Sequence, residues 1–488
     1  MKRRLSLPIL CAMVLSCAAP TAFGQNQSLG ASTLSQSAAP DAAKPAQGAD
    51  AKSMDSTTTF SRGGIRPLFV DVLAARGLRK TTTGVMSRPL SRTSPSSAAS
   101  GRFAPSSVAK VTTEVNTDDP SSGVSTLPLW TFRLRSSRDG QNYLGTMVGR
   151  SPFNDPGGSK IPTEVIPLVI KTKNVAVSFD PKTGIVTTKP GNTTLDPTKA
   201  DDVCLSPPND VPIQLVSGSP IFTSASFSFG GTFVGNTQYS DAFQRANFWN
   251  VLGENRDQYH VRLKPVQFLD PIVLDVPSVY GLAITDPLFF GPPAFCAPLG
   301  IVDINWFDTY LTGTLIPALA RRGVNPTNFP IFLVYNTVWA APVANLFTCC
   351  ILGYHGTTGF PIPTQTYSPA DFDTTQAISN AAGSTAGFSD SAILSHEVDE
   401  WMNDPMISNP SPPWGNTGQV QGFCQANLEV GDPLTGTVIQ SVTMPNGFTY
   451  HLQELAFFSW FFGAPSTGVN GWFSDNGTFT MDAGPPCF

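Results

Sequence analysis

Proline and glycine interrupt this chain too often for long helices, with 44 Pro and 42 Gly among 488 residues. Proline removes a backbone donor and fixes φ, whereas glycine favours turns. The expectation is therefore short strands joined by many turns. An apolar share of 41% is enough for a core, and the charged share of 13% is low, about half the usual proportion. The length admits one large domain, or two ordinary ones with tails. Net charge is −5 and no Lys/Arg cluster of nucleic-acid type occurs, so no nucleic-acid partner is expected.

The amino terminus reads as an export signal. Lys2, Arg3 and Arg4 precede a mostly apolar run from Leu5 to Ala19, and Ala22-Phe23-Gly24 offers small residues for signal-peptidase cleavage. Residues 1–24 are thus expected to be a signal peptide, and the protein secreted or periplasmic. Cys17, in Val14-Leu15-Ser16-Cys17, offers a lipid anchor as the less favoured alternative, because Leu15 fits a lipoprotein signal poorly. No apolar run is long enough for a transmembrane span. Cleavage after Gly24 leaves Cys204, Cys296, Cys349, Cys350, Cys424 and Cys487. An even number in an exported chain implies up to three disulfides, in any of fifteen pairings. Cys349 and Cys350 are expected to bond outward to different partners, since a bridge between neighbours is strained. No Cys-x-x-Cys occurs, so no thiolate zinc site is expected.

Residues 25–125 are dominated by Ser, Thr, Ala, Pro and Gly and are expected to form a disordered leader or linker, with a short ordered piece conceivable near Pro67 to Leu78. Residues 126–300 read as a β-rich portion, either separate or part of the catalytic domain. Trp130, Phe132 and Leu134 alternate like a strand, Val165 to Ile170 is a buried-strand run with an edge-type Pro167, and Val175 to Phe179 is a strand before the turn Asp180 to Gly184. Ser240 is expected to cap a helix ending at Gly253. In residues 301–488, Asp303 is expected to cap a helix that Pro317 splits and Gly323 stops, Phe329 to Tyr335 reads as a strand, and Phe388 to Met402 carries a motif helix ended by Asn403-Asp404-Pro405. The order helix, strand, motif helix suggests an α+β fold with a zincin-like carboxy-terminal core, which is an analogy of fold.

The motif is Ser395-His396-Glu397-Val398-Asp399-Glu400. On a helix, His396 and Glu400 face the same way and can close on one ion. Glu397 is displaced by about a third of a turn and can reach a water on that ion as general base, the logic of His-Glu-x-x-His metallopeptidases. Glu400 replaces the second histidine; a carboxylate oxygen binds Zn²⁺ at a similar distance, but its charge weakens the ion's Lewis acidity. The chain has seven Glu, and Glu397, Glu400, Glu429 and Glu454 all lie in this stretch with His355, His396 and His451. Carboxylates gathered beside a half-buried helix repel one another, and a cation compensates them. The plainer reading is a solvated surface helix.

The run resembles secreted metallopeptidases with a His-Glu-x-x-Glu helix and, more distantly, the plant phosphate-induced (exordium-type) proteins. The matching residues are Ser395, His396, Glu397, Glu400, Asp404-Pro405, Trp414, Glu429-Val430-Gly431-Asp432 and Gln453, with Cys350 to His355 similar to an upstream Cys-Gly-Tyr/Phe-His element. The resemblance covers about residues 330–455. Two residues are inserted after Cys350, and Cys424 precedes Gly431-Asp432 where the family has a cysteine after it; this bears on the family's disulfide and not on the metal helix. The resemblance implies a zinc peptidase acting on a peptide or protein substrate. His396 and Glu400 would hold Zn²⁺ with Glu429 or Asp432, and Glu397 would activate water. His355 is open between ligand, substrate-binding and structural roles. His451 and Glu454, beside Phe457 to Phe462, read as core, and His260 as unrelated. The rival readings are a cell-envelope protein keeping a structural metal and a carbohydrate-binding β-rich module. No Gly-x-Ser-x-Gly elbow or Walker-type loop occurs. Oligomeric state is not legible.

Overall fold

A computed structural model describes residues 65–76, 78, 112–116, 127–200, 204–205, 210–358, 364–378, 388–416, 423–437, 439 and 441–481. The expected signal peptide, Cys17, Cys487 and most of the expected leader lie outside these residues. No helix among the described residues is long and apolar enough to cross a membrane.

The architecture corrects the expected fold class. The chain is mostly β, with about 21% helix and a closed seven-stranded barrel, and has no zincin-like α+β core. The strands that matter are β1 (Ile65–Phe69), β2 (Thr163–Phe179), β3 (Gly281–Ile284), β4 (Leu299–Asp303), β5 (Phe329–Tyr335), β6 (Thr337–Ala340), β7 (Cys349–Thr358) and β8 (Gln365–Phe372). Around the barrel the order is β7-β6-β4-β3-β2-β5-β8, and β8 pairs back onto β7. The wall is mixed: β5 runs parallel to both β2 and β8, whereas β7 is antiparallel to β6 and β8. Strands therefore come from both sides of residue 300.

The physical reason for closure lies in the strand sequences. Successive strand residues point to opposite faces, and here both faces are apolar. Val165, Ile331 and Leu333 join one core cluster; Ile166, Leu168, Phe332 and Val334 join another. Sheet buried on both sides has no use for an exposed edge, and closing the wall pairs the backbone throughout. Pro167 accordingly sits opposite Leu333 inside the wall, not on an edge. The expected strands at 165–170 and 175–179 are one continuous element, β2.

Two helices are needed below, α1 (Tyr239–Asn247) and α2 (Ile304–Tyr310). Ser240 lies inside α1 after an N-cap at Gln238. Asp303 does cap α2, accepting from the Trp306 amide at 3.0 Å. Beyond α2 the helix changes to a wider π-type turn over Leu311–Leu315, just before Pro317, and ends at Gly323 with φ 106°. Proline lacks the donor that a regular α-turn would use there.

The leader expected to be disordered supplies β1, which pairs antiparallel with β7, Arg66 opposite His355. Leu68, Val72 and Leu73 beside it are fully buried, and their burial offsets the ordering entropy that the surrounding composition suggested would prevail. The cysteine expectation is also corrected. Cys349 and Cys350 bond to each other, Cys204 bonds to Cys296, and Cys424 is disulfide-bonded as well. Cys349 and Cys350 are wholly enclosed, with Cys350 exchanging backbone hydrogen bonds with Val70, so neither sulfur faces outward.

Candidate metal centre

The motif helix, α3 (Ala392–Asn403), is buried along its entire length, not half-buried as expected. It lies against β7, β8 and α1. Trp401 anchors it: its ring stacks on Phe329 of β5 with centroids 3.6 Å apart, and its indole donates to the Thr366 hydroxyl at 3.0 Å. On the α1 side the Ser240 hydroxyl donates to Asp399 at 3.1 Å. The helix therefore carries its polar residues inside the protein, where each needs a partner.

His396 and Glu400, one turn apart, do face the same way, with Nε2 3.1 Å from Oε1. The later acidic loop arrives beside them. Asp432 places Oδ1 3.6 Å from His396 Nε2, and the Gly431 and Asp432 amides both donate to Glu400 Oε1 at 3.1 Å. Asp432 is itself held by Gln425 at 3.0 Å. From β7, His355 presents Nδ1 3.5 Å from Glu397 Oε2 and 3.7 Å from Glu400 Oε2, while its Nε2 lies 3.7 Å from Glu429 Oε2. The other oxygen of Glu429 pairs with Arg66 of β1 at 3.1 Å and accepts from Asn427 at 2.9 Å. His355, His396, Glu397, Glu400, Glu429 and Asp432 thus converge, with Glu429 outside the two tightest groups. The others fall into two groups of mutually close ligand atoms: His396, Glu400 and Asp432, and His355, Glu397 and Glu400, each within 4.8 Å. Of the two loop carboxylates offered as third ligand, Asp432 faces His396 and Glu429 faces His355.

Gln453 had no role assigned from the sequence beyond its match to the family pattern. Its Nε2 donates to the Gly431 carbonyl at 2.6 Å, which turns Oε1 toward His396 Nδ1 at 3.0 Å. Nδ1 then donates to Oε1, so in the neutral ring Nε2, facing Glu400 and Asp432, is the nitrogen open to an ion, the arrangement found behind metal-binding histidines. Arg66 was hidden in the low-complexity leader, with no local signal.

Two glycines are required by close approach. A β-carbon at Gly431 would lie 2.4 Å from His396 Nδ1, and one at Gly353 would lie 2.8 Å from Glu397 Oε1. The glycines of Gly431-Asp432 and Gly353-Tyr354-His355 let loop and strand close onto the helix.

Electrostatically the site is under tension. Burial pushes Glu397 well above the usual carboxylate range, and the charges of Glu400, Asp432 and Glu429 push it further. Glu429 and Asp432 rise for the same leading reason, burial followed by Glu400. Burial would also raise Glu400, but the adjacent His396, its hydrogen bond and His355 outweigh it and hold Glu400 low. Burial lowers His355 to about 4, so its imidazole is neutral. For His396 burial acts downward, yet Glu400, Asp432 and Gln453 prevail and raise it.

The donor set fits a divalent cation such as Zn²⁺. It offers imidazole nitrogens and carboxylate oxygens, the ligands zinc takes. Both His355 ring nitrogens, both Glu397 oxygens and Glu429 Oε2 are buried without a partner in hydrogen-bonding geometry, and His396 Nε2 has only Glu400 Oε1 at 3.1 Å. Native proteins rarely leave so many buried polar atoms unmatched unless an ion or water meets them.

The remaining candidates lie elsewhere. His451 pairs with Asp390 at 2.5 Å, and Glu454 accepts from Ser474 at 2.7 Å and Thr478 at 2.6 Å. His260 places Nδ1 2.8 Å from Asp241 and Nε2 3.1 Å from Arg262, in a cavity of about 290 Å³ with Trp249. None of these joins the cluster.

Fold and site together define a mostly β barrel protein with a buried histidine–carboxylate centre mounted on one helix. No family model, curated protein or solved structure matches the chain.

Proposed function

We propose that the protein is a secreted metal-dependent hydrolase, a zinc metallopeptidase-like protein acting on peptide or protein substrates. The observation that carries the reading is His396 Nε2, its tautomer set by Gln453, aimed at Glu400 and Asp432. These three residues would hold Zn²⁺. Such an ion lowers the pKa of a bound water and polarises a carbonyl. Glu397 would be the proton acceptor: it adjoins His396 on the helix and faces His355 Nδ1 across 3.5 Å, with its oxygens otherwise open. Peptide as substrate rests on the resemblance to the His-Glu-x-x-Glu metallopeptidases, and export on the amino-terminal pattern.

The complete burial of His355, His396, Glu397 and Glu429 favours a second reading, a non-catalytic envelope protein whose metal is structural. Fluorescently labelled casein and Glu397→Gln separate the two. If the hydrolase reading holds, the wild type cleaves casein, and the variant loses cleavage while keeping the ion at His396. Absence of cleavage by zinc-loaded wild type supports the structural role. Zinc content unchanged by His396→Ala sinks the ligand assignment.

A further inference from the structure

Glu400 has two oxygens, and each belongs to a different group of ligand atoms. Oε1 lies by His396 and Asp432, and Oε2 by His355 with Glu397. We propose that Glu400 bridges two divalent cations, one held by His396, Glu400 and Asp432, the other by His355, Glu397 and Glu400. The proposal rests on reading the first position as a metal site and adds a second beside it.

The separations support an ion at each position. Metal bonds of about 2.0–2.2 Å in tetrahedral geometry put neighbouring ligand atoms about 3.4 Å apart. His355 Nδ1 stands 3.5 Å from Glu397 Oε2 and 3.7 Å from Glu400 Oε2; His396 Nε2 stands 3.1 Å from Glu400 Oε1 and 3.6 Å from Asp432 Oδ1. The His355 distances exceed those of a hydrogen bond, yet both its ring nitrogens are wholly buried without a partner. A neutral imidazole carries one donor and one acceptor; the Asp404 backbone carbonyl faces this ring, but neither ring nitrogen meets a partner in hydrogen-bonding geometry. Glu397 is in the same state: the Leu68 backbone amide faces it, but neither oxygen is in hydrogen-bonding geometry with any donor.

The surroundings repeat the first site's construction. Behind His396 stands Gln453; behind His355, on the Nε2 side, stands Glu429, itself fastened by Arg66 and Asn427. A carboxylate behind a ligating histidine orients the ring and sets its tautomer. Glu429 faces Nε2 from 3.7 Å, on the side where such a positioning residue would stand. Charge points the same way. Glu397, Glu400, Asp404, Glu429 and Asp432 are all buried, and Arg66 is the cation paired into them. Were all five ionised and both histidines neutral, four negative charges would remain after Arg66; one dication would compensate two and a pair all four. Carboxylate-bridged metal pairs about 3.5–4 Å apart are a recurrent hydrolytic design. With both positions filled Glu397 is a ligand, and its base role belongs to the one-ion form.

The test is metal stoichiometry on the full-length exported protein, loaded with Zn²⁺, dialysed and analysed by mass spectrometry. The expected result is two equivalents per chain. His355→Ala and Glu397→Gln should each lose one and keep one, and Glu400→Ala should lose both. Wild type loaded with Mn²⁺ should show the exchange-coupled electron paramagnetic resonance spectrum of a metal pair, a readout needing no variant. One equivalent, lost in His396→Ala, untouched by His355→Ala and giving an uncoupled Mn²⁺ spectrum, overturns the pair and leaves the single-ion reading standing. No bound metal in folded wild type overturns both.

Discussion

Gln453 shows how much one hydrogen bond can decide at this site. Its amide is oriented by the Gly431 carbonyl and in turn orients the His396 ring. Gln453→Ala would free the tautomer, and outer-shell losses of this kind typically weaken metal affinity by about 10–100-fold. A chelator-competition titration with Zn²⁺ should show that loss with the fold intact by circular dichroism. Arg66 is the second residue-scale case. Its guanidinium meets Glu429, so Arg66→Ala leaves a buried carboxylate less compensated. The expected loss, on the order of 2 kcal/mol, should appear as a lower urea midpoint.

At the scale of elements, α3 holds because its apolar anchor outweighs the cost of enclosing its polar face. Trp401 is fully buried against Phe329 and bonded to Thr366. Trp401→Ala should cost about 3–5 kcal/mol, read from chemical denaturation, and should loosen the ligand geometry along with the helix. β2 carries a pH-sensitive group that belongs to neither group of candidate ligands. Glu164 accepts from Asn328 at 2.7 Å, its other oxygen is buried without a partner, and burial raises its pKa from 4.5 to about 7. The folded state thus prefers the protonated form. That preference stabilises the protein fully below pH 4.5 and is lost as pH rises through about 7. Glu164→Gln removes the ionisation, so the wild type should lose more stability than the variant between pH 5 and pH 8. Parallel unfolding midpoints at the two values check this; equal declines would contradict it.

For the molecule as a whole, the cluster joins β1, β7, α3, the 429–432 loop and Gln453, so an ion bound there ties distant segments together. Binding to the folded state alone stabilises it by mass action. Treatment with a strong chelator should lower the melting temperature, re-addition of Zn²⁺ should restore it, and His396→Ala should blunt the response. These chain-wide ties also mark where sequence reading ended. Local pattern was enough for the motif helix, for the Asp303 cap, for Phe329–Tyr335 as a strand, and for His396 and Glu400 facing the same way, because spacing along a helix and side-chain chemistry are properties of a few neighbouring residues. Barrel closure, the burial of α3, the Cys349–Cys350 bond, the place of Arg66, and the choice of Asp432 over Glu429 beside His396 were decided only in three dimensions. Each depends on which distant segments pair, and apolar alternation says that a strand has two buried faces without saying what covers them.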